Sequence, residues 1–123
     1  MLPRSKIAII EDDAGVRDSL GSLLRSTDLE VEFFPSGQAF LTAEGWMGVD
    51  CLVSDVQMPG IDGVTMYRLL LTRGVRVPVI FMSALQDKRV QAEVAELGAA
   101  CFLQKPLLGC ALLRCIALVL GTT

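Results

Sequence analysis

The chain contains no histidine. That absence excludes a Ser-His-Asp or Cys-His nucleophile, a histidine-ligated metal and a phosphohistidine within these residues, so any chemistry here runs on carboxylates, hydroxyls or lysine. Its four cysteines, Cys51, Cys101, Cys110 and Cys115, include no C-x-x-C pair, and without histidine they complete no zinc site. They read as reduced, buried thiols of a cytoplasmic protein and not as a disulfide framework. Basic excess is missing as well: a net charge of -3 argues against direct contact with nucleic acid, so any contact with DNA would fall to another domain. No apolar run is long enough to span a bilayer, which argues against membrane insertion. The opening "MLPRSK" has no long apolar stretch behind it before Glu11, as a secretory signal would need.

What is present is 123 residues of 52% hydrophobic and 20% charged composition, the size of one domain (1–123) able to bury a core without staples. Five short runs rich in β-branched and aromatic residues read as strands: Lys6 to Ile10, Leu29 to Phe34, Cys51 to Ser54, Val77 to Met82 and Ala100 to Leu103. Helical spacing lies between them. Val16, Leu20, Leu23 and Leu24 share one face, and Val90, Val94 and Leu97 repeat the pattern. Ser36 after Pro35 is placed to cap a second helix, Gly74 and Gly98 to stop the third and fourth, and Leu107 to Leu120 forms a fifth. Five βα units in succession imply a parallel sheet with helices on both faces, and near-continuous apolar strands fit that burial.

In open sheets of this kind the ligand site lies beyond the carboxyl ends of the strands. There the first strand runs into Glu11, Asp12 and Asp13, the third into Asp55, the fourth into Ser83 and the fifth through Gln104 to Lys105 and Pro106. Carboxylates brought this close repel unless a cation sits among them, and Mg²⁺ suits a few carboxylates plus water and phosphate oxygens. Lys105 supplies a point charge for a phosphoryl oxygen and Ser83 a hydroxyl donor. The constellation reads as a phosphoryl acceptor. Each residue also has an ordinary explanation: Asp13 or Asp12 as a helix cap, Ser83 as the cap of the fourth helix, Lys105 as a solvated lysine. Together, at four strand ends, they favour the site.

The motifs "IAIIEDD", "LVSDVQMPGIDG", "VIFMSA" and "CFLQKP", in this order and spacing, resemble the receiver domain of bacterial two-component response regulators, FixJ-like branch, over essentially the whole chain. The resemblance implies a flavodoxin-like (βα)5 doubly wound sheet of strand order 2-1-3-4-5. It further implies phosphorylation of Asp55 by a sensor histidine kinase, with Asp12 as a direct Mg²⁺ ligand, Glu11 acting through water and the Gln57 backbone carbonyl completing the set. In the family the hydroxyl at Ser83 swings to the acyl phosphate, the aromatic at Phe102 rotates into the vacated space, and Lys105-Pro106 is a cis bond. Such a protein is an acceptor and switch, not a turnover enzyme. The alternative, a small Mg²⁺-dependent aspartyl-phosphate phosphohydrolase, lacks the Asp-x-Asp pattern, since Val56 and Gln57 follow Asp55.

The fifth helix stands apart. From Leu107 to Leu120 its only charge is Arg114, so half of it is expected to have nothing to bury against within this domain and to face solvent apolar. The resemblance points to the surface of helix four, strand five and helix five as a homodimer or output-domain interface.

Overall fold

A computed structural model describes residues 5–107 and 109–121. Five strands alternate with five helices: β1 (Lys6–Ile10), α1 (Ala14–Arg25), β2 (Glu30–Phe34), α2 (Gly37–Thr42), β3 (Cys51–Asp55), α3 (Gly63–Thr72), β4 (Val79–Ser83), α4 (Lys88–Glu96), β5 (Cys101–Gln104) and α5 (Gly109–Leu120). All neighbouring strands pair in parallel, in the order β2-β1-β3-β4-β5. This is the flavodoxin-like sheet expected.

Period-two alternation sends successive side chains to opposite faces, and here both faces are apolar. Ile7, Ile9, Cys51, Val53, Ile80 and Met82 pack with Leu20 and Leu24 of α1 and with Leu112 and Ile116 of α5. Ala8, Ile10, Leu52, Val79 and Phe81 pack on the other side with Phe40 of α2, Tyr67 and Leu70 of α3, and Val94 of α4. Double-sided burial explains the unbroken hydrophobic runs of β3 and β4, every residue of which is buried. The edge strands β2 and β5 are more exposed.

Several boundaries differ from the sequence reading, for local reasons. β4 starts at Val79, not Val77, because Pro78 has no N–H to give the ladder; its carbonyl still accepts from the Leu52 amide at 2.9 Å. β3 and β4 each run one residue further, so Asp55 and Ser83 are strand residues. Ser83 does not cap α4: Asp87 does, accepting from the Arg89 and Val90 amides. Ser36 and Asp13 cap α2 and α1 as expected. Gly74 and Gly98, both at positive φ, follow α3 and α4. α5 begins at Gly109; Leu107 precedes it and Leu108 lies outside the described residues.

The fifth helix buries more than its composition promised. Leu112 and Ile116 are buried, and Leu113, Cys115, Val119 and Leu120 are half-buried against the same core. Cys110, Arg114 and Leu118, spaced four apart, form the outward stripe, with Leu118 61% exposed. Cys110 therefore departs from the expectation of buried thiols. Cys51 is buried, Cys101 and Cys115 are half-buried, and all four thiols are free. Among the described residues no helix is long and apolar enough to cross a membrane.

Candidate functional site

Strand register brings the chemical groups to one edge. Ile10 pairs with Ser54, so Glu11 lies level with Asp55; Asp55 pairs with Met82, so Ser83 is one step beyond it; Ser83 pairs with Gln104, so Lys105 follows on the next strand. Glu11 is fully buried, Asp55 is 4% exposed and Ser83 1%.

The centre is a lysine shared by two acids. Lys105 Nζ donates to Glu11 Oε2 and to Asp55 Oδ2, each at 2.9 Å. Burial alone would lower the Lys105 pKa, but the hydrogen bonds and charges of Glu11 and Asp55 outweigh it and hold the ammonium above its usual value. Burial pushes the Glu11 carboxyl up, reinforced by the negative charge of Asp55, against the lowering pull of the Lys105 bond. Glu11 is further anchored through its other oxygen, which accepts from the Asp13 amide at 3.2 Å, and through its backbone carbonyl, which accepts from Arg17 Nη1 at 2.8 Å.

Glu11, Asp12 and Asp55 each present a carboxylate oxygen within 4.8 Å of the other two. Asp12 is exposed while its two companions are buried, so the cluster opens to solvent on one side. Three carboxylates against the one ammonium of Lys105 leave two net negative charges, which matches a divalent cation, and an all-oxygen donor set with an open side matches Mg²⁺. Asp13, adjacent in sequence, is turned away: its Oδ1 accepts from the Val16 amide at 3.0 Å as the cap of α1.

The loop after β3 is held tightly. The Val56 amide donates to the Met82 carbonyl at 2.9 Å, and the Gly63 amide donates to the Val56 carbonyl at 2.8 Å. A Cβ at Gly63 would overlap the Asp55 carbonyl oxygen, so only glycine lets α3 start this close to the strand end. Gly60 takes the turn itself at φ 78°. Asp62, at the end of the loop, caps α3 by accepting from the Thr65 amide at 2.7 Å.

Gln57 plays a part that the sequence did not disclose. The sequence reading used only its backbone carbonyl, whereas its side-chain Oε1 accepts from Ser83 Oγ at 2.9 Å. Ser83 Oγ also accepts from the Leu85 amide at 3.0 Å and lies 3.1 Å from the Leu85 carbonyl. Phe102 is half-buried on β5, packed at the margin of the core beneath α2, α3 and α4. The Lys105-Pro106 peptide is cis, and the Lys105 amide donates to the Ser83 carbonyl at 2.8 Å. Beside Lys105 a groove of about 850 Å³ opens between α1 and the start of α5, lined by Val16, Leu20, Leu23, Ala84 and Leu107 among others. Arg17, which fixes the Glu11 carbonyl, was also missed; its position one helical turn past the acidic run is the only trace it leaves in the sequence.

Comparison with known proteins agrees with this geometry. The model of the response regulator receiver domain matches residues 7–117. The chain is 39% identical over 106 residues to the transcriptional regulatory protein FixJ of Bradyrhizobium diazoefficiens, covering 86% of this chain and 52% of that protein. It is 40% identical over 102 residues to the transcriptional regulatory protein TdiR of Thauera aromatica, covering 83% and 45% respectively. The chain thus spans about half the length of the curated relatives it matches. Among solved structures, full-length FixJ from B. japonicum superposes with a TM-score of 0.88 at 35% identity, over 98% of this chain and 59% of that one. The FixJ-N crystal structure gives 0.85 at 26% identity, over 99% and 98%.

Proposed function

The chain belongs to the response regulator receiver domain family, and from that premise we propose that it is a phosphorylation switch whose acceptor is Asp55. The observation that carries the reading is the shared lysine: Lys105 reaches both Glu11 and Asp55 at 2.9 Å, at the ends of β1 and β3, where a third carboxylate completes the cluster. A nucleophilic carboxylate with cations around it is what phosphoryl transfer needs, since the chemistry is mostly positioning and electrostatic stabilisation.

In this reading an Asp55 carboxylate oxygen attacks the phosphorus of the donor, the O–P bond forms, and the bond to the donor's leaving nitrogen or oxygen breaks with its electron pair. The donor is a sensor histidine kinase, and the receiver acts in the cytoplasm. The carboxylates of Glu11, Asp12 and Asp55 and the Gln57 carbonyl would hold Mg²⁺, which when bound supplies positive charge to the phosphoryl oxygens. Lys105 stays beside Asp55 and balances the charge that the phosphoryl group brings. Ser83 offers its hydroxyl to one phosphoryl oxygen from the neighbouring strand, and Phe102 on β5 shifts in response, altering the surface of α4, β5 and α5. That surface, with Leu118 exposed on α5, is the output, toward a second copy or an attached output domain.

Incubation with Mg²⁺ and acetyl phosphate, followed by intact-protein mass spectrometry, tests the assignment. The protein gains one phosphoryl group and Asp55→Asn gains none; equal labelling of both would sink it.

A further inference from the structure

Ser83 closes β4 with its side chain inside the protein, 1% exposed. Its hydroxyl accepts from the Leu85 amide at 3.0 Å, and its single proton faces two acceptors: Gln57 Oε1 at 2.9 Å and the Leu85 carbonyl at 3.1 Å. The hydroxyl is therefore fully engaged. Gln57 reaches it from the loop that begins at Asp55, so the segment carrying the acceptor carboxylate also carries the group that occupies the nearest buried hydroxyl of the adjacent strand.

We propose that the Gln57 carboxamide is a positioning residue that holds the Ser83 hydroxyl in a resting hydrogen bond, so that a phosphoryl group on Asp55 gains Ser83 only by displacing Gln57. The inference rests on Asp55 being the phosphoacceptor, and it adds a residue that sets how readily the switch turns.

The competition follows from acceptor strength. A carboxamide oxygen is neutral, whereas a phosphoryl oxygen is charged, and charge-assisted bonds are roughly twice as strong. The Ser83 O–H turns to donate to the phosphoryl oxygen while keeping its proton, and the site gains only the difference between the two bonds. Removing the Gln57 acceptor does not orphan the hydroxyl, because the Leu85 carbonyl remains within reach. It lowers the cost of turning Ser83 toward Asp55. The same turn is tied at its next residue, where Gln86 Nε2 donates to Gln104 Oε1 at 2.8 Å, so the start of the β4–α4 connection stays anchored to β5 when Gln57 is changed.

Beryllofluoride, a phosphoryl mimic on carboxylates, provides the test. It is titrated with saturating Mg²⁺ into the wild type, Gln57→Met, Ser83→Ala and the double variant, and binding is read by fluorine NMR. Methionine keeps the length and bulk of glutamine without the amide acceptor; urea unfolding verifies each fold, and Gln57→Ala serves if the methionine variant does not fold. Gln57→Met is expected to bind more tightly than wild type, by at most about fivefold, the worth of one neutral hydrogen bond, because the Leu85 carbonyl retains part of the hold on Ser83, with the gain abolished in the Ser83→Ala background. A purely structural role would shift affinity alike in both backgrounds. That result, no change, or weaker binding by Gln57→Met overturns the proposal while leaving Asp55 as acceptor. Failure of the wild type to bind, or equal binding by Asp55→Asn, would instead remove the acceptor reading and this proposal with it.

Discussion

Lys105 and Asp55 stand 50 residues apart in the chain and 2.9 Å apart in the fold, Nζ to Oδ2. The lysine side chain is 19% exposed, and those of its two partners, Asp55 and Glu11, are 6% and 1% exposed, so this is an interior ion triad and not a surface pair. Removing one member of a buried pair strands the others.

Lys105→Met should therefore destabilise the metal-free protein by about 3 kcal/mol. With saturating Mg²⁺ the loss should shrink, because the cation neutralises the same two acids. Urea unfolding in EDTA and in Mg²⁺ measures both values; equal losses in the two conditions would mean that lysine and metal do not share these carboxylates.

The raised Lys105 pKa sets an alkaline limit on stability in EDTA. Its contribution is complete below the ordinary value of 10.5 and is lost as pH rises through the higher folded value. Cys51 and Cys101, whose thiols are pushed up to about 12 chiefly by burial, add their own loss above the usual thiol value of 9.0. The Lys105 share is isolated by subtraction: the stability gap between wild type and Lys105→Met should be constant from about neutral pH to about pH 10, where both acids are ionised, and close above it. A gap that stays constant through pH 12 would contradict the pairing.

Asp12 and Asp13 should separate metal binding from folding. Asp12→Ala is expected to weaken Mg²⁺ binding at least about tenfold by calorimetry with little loss of stability, since Asp12 is an exposed member of the carboxylate cluster. Asp13→Ala should cost about 1 kcal/mol through loss of the α1 cap and leave Mg²⁺ affinity nearly intact. The reverse pattern would place the wrong acid in the site.

Leu118 tests the output surface. Sedimentation of the beryllofluoride-treated protein should reveal a homodimer that the untreated protein forms more weakly, and Leu118→Lys should weaken it at least about tenfold. A monomer under every condition would leave α5 to an output domain or other partner.

How much of this was legible in the sequence depended on whether a residue's role is local. β1, β3 and β4 could be read directly because both faces of those strands are buried, and the acids and lysine could be read because they sit at or just past strand ends. Asp87 was overlooked as the α4 cap since Ser83 offered the same chemistry four residues earlier; what decided was that Ser83 remains in the ladder, paired with Gln104. The Gln57–Ser83 bond spans 26 residues and depends on how the loop after β3 folds back, which no spacing rule encodes. The apolar fifth helix misled through composition: an isolated tally of its side chains could not reveal that Leu113, Val119 and Leu120 join Leu112 and Ile116 in packing against the core on that face of the sheet.

The order of the strands in the sheet carries a consequence for biosynthesis. Glu11, Asp55, Ser83 and Lys105 come from four separate segments, and the only cation among them directly follows β5, the last strand to leave the ribosome. Without bound metal, a nascent or truncated chain that stops after β4 holds the Glu11 and Asp55 carboxylates at the edge of its sheet with no lysine to neutralise them. Docking of β5 relieves that repulsion and so rewards completion of the fold. On the proposed reading of Asp55 as the acceptor, a chain clipped before Lys105 would lose phosphoryl acceptance together with the ammonium beside that carboxylate, so acceptance would serve as a mark of a finished domain.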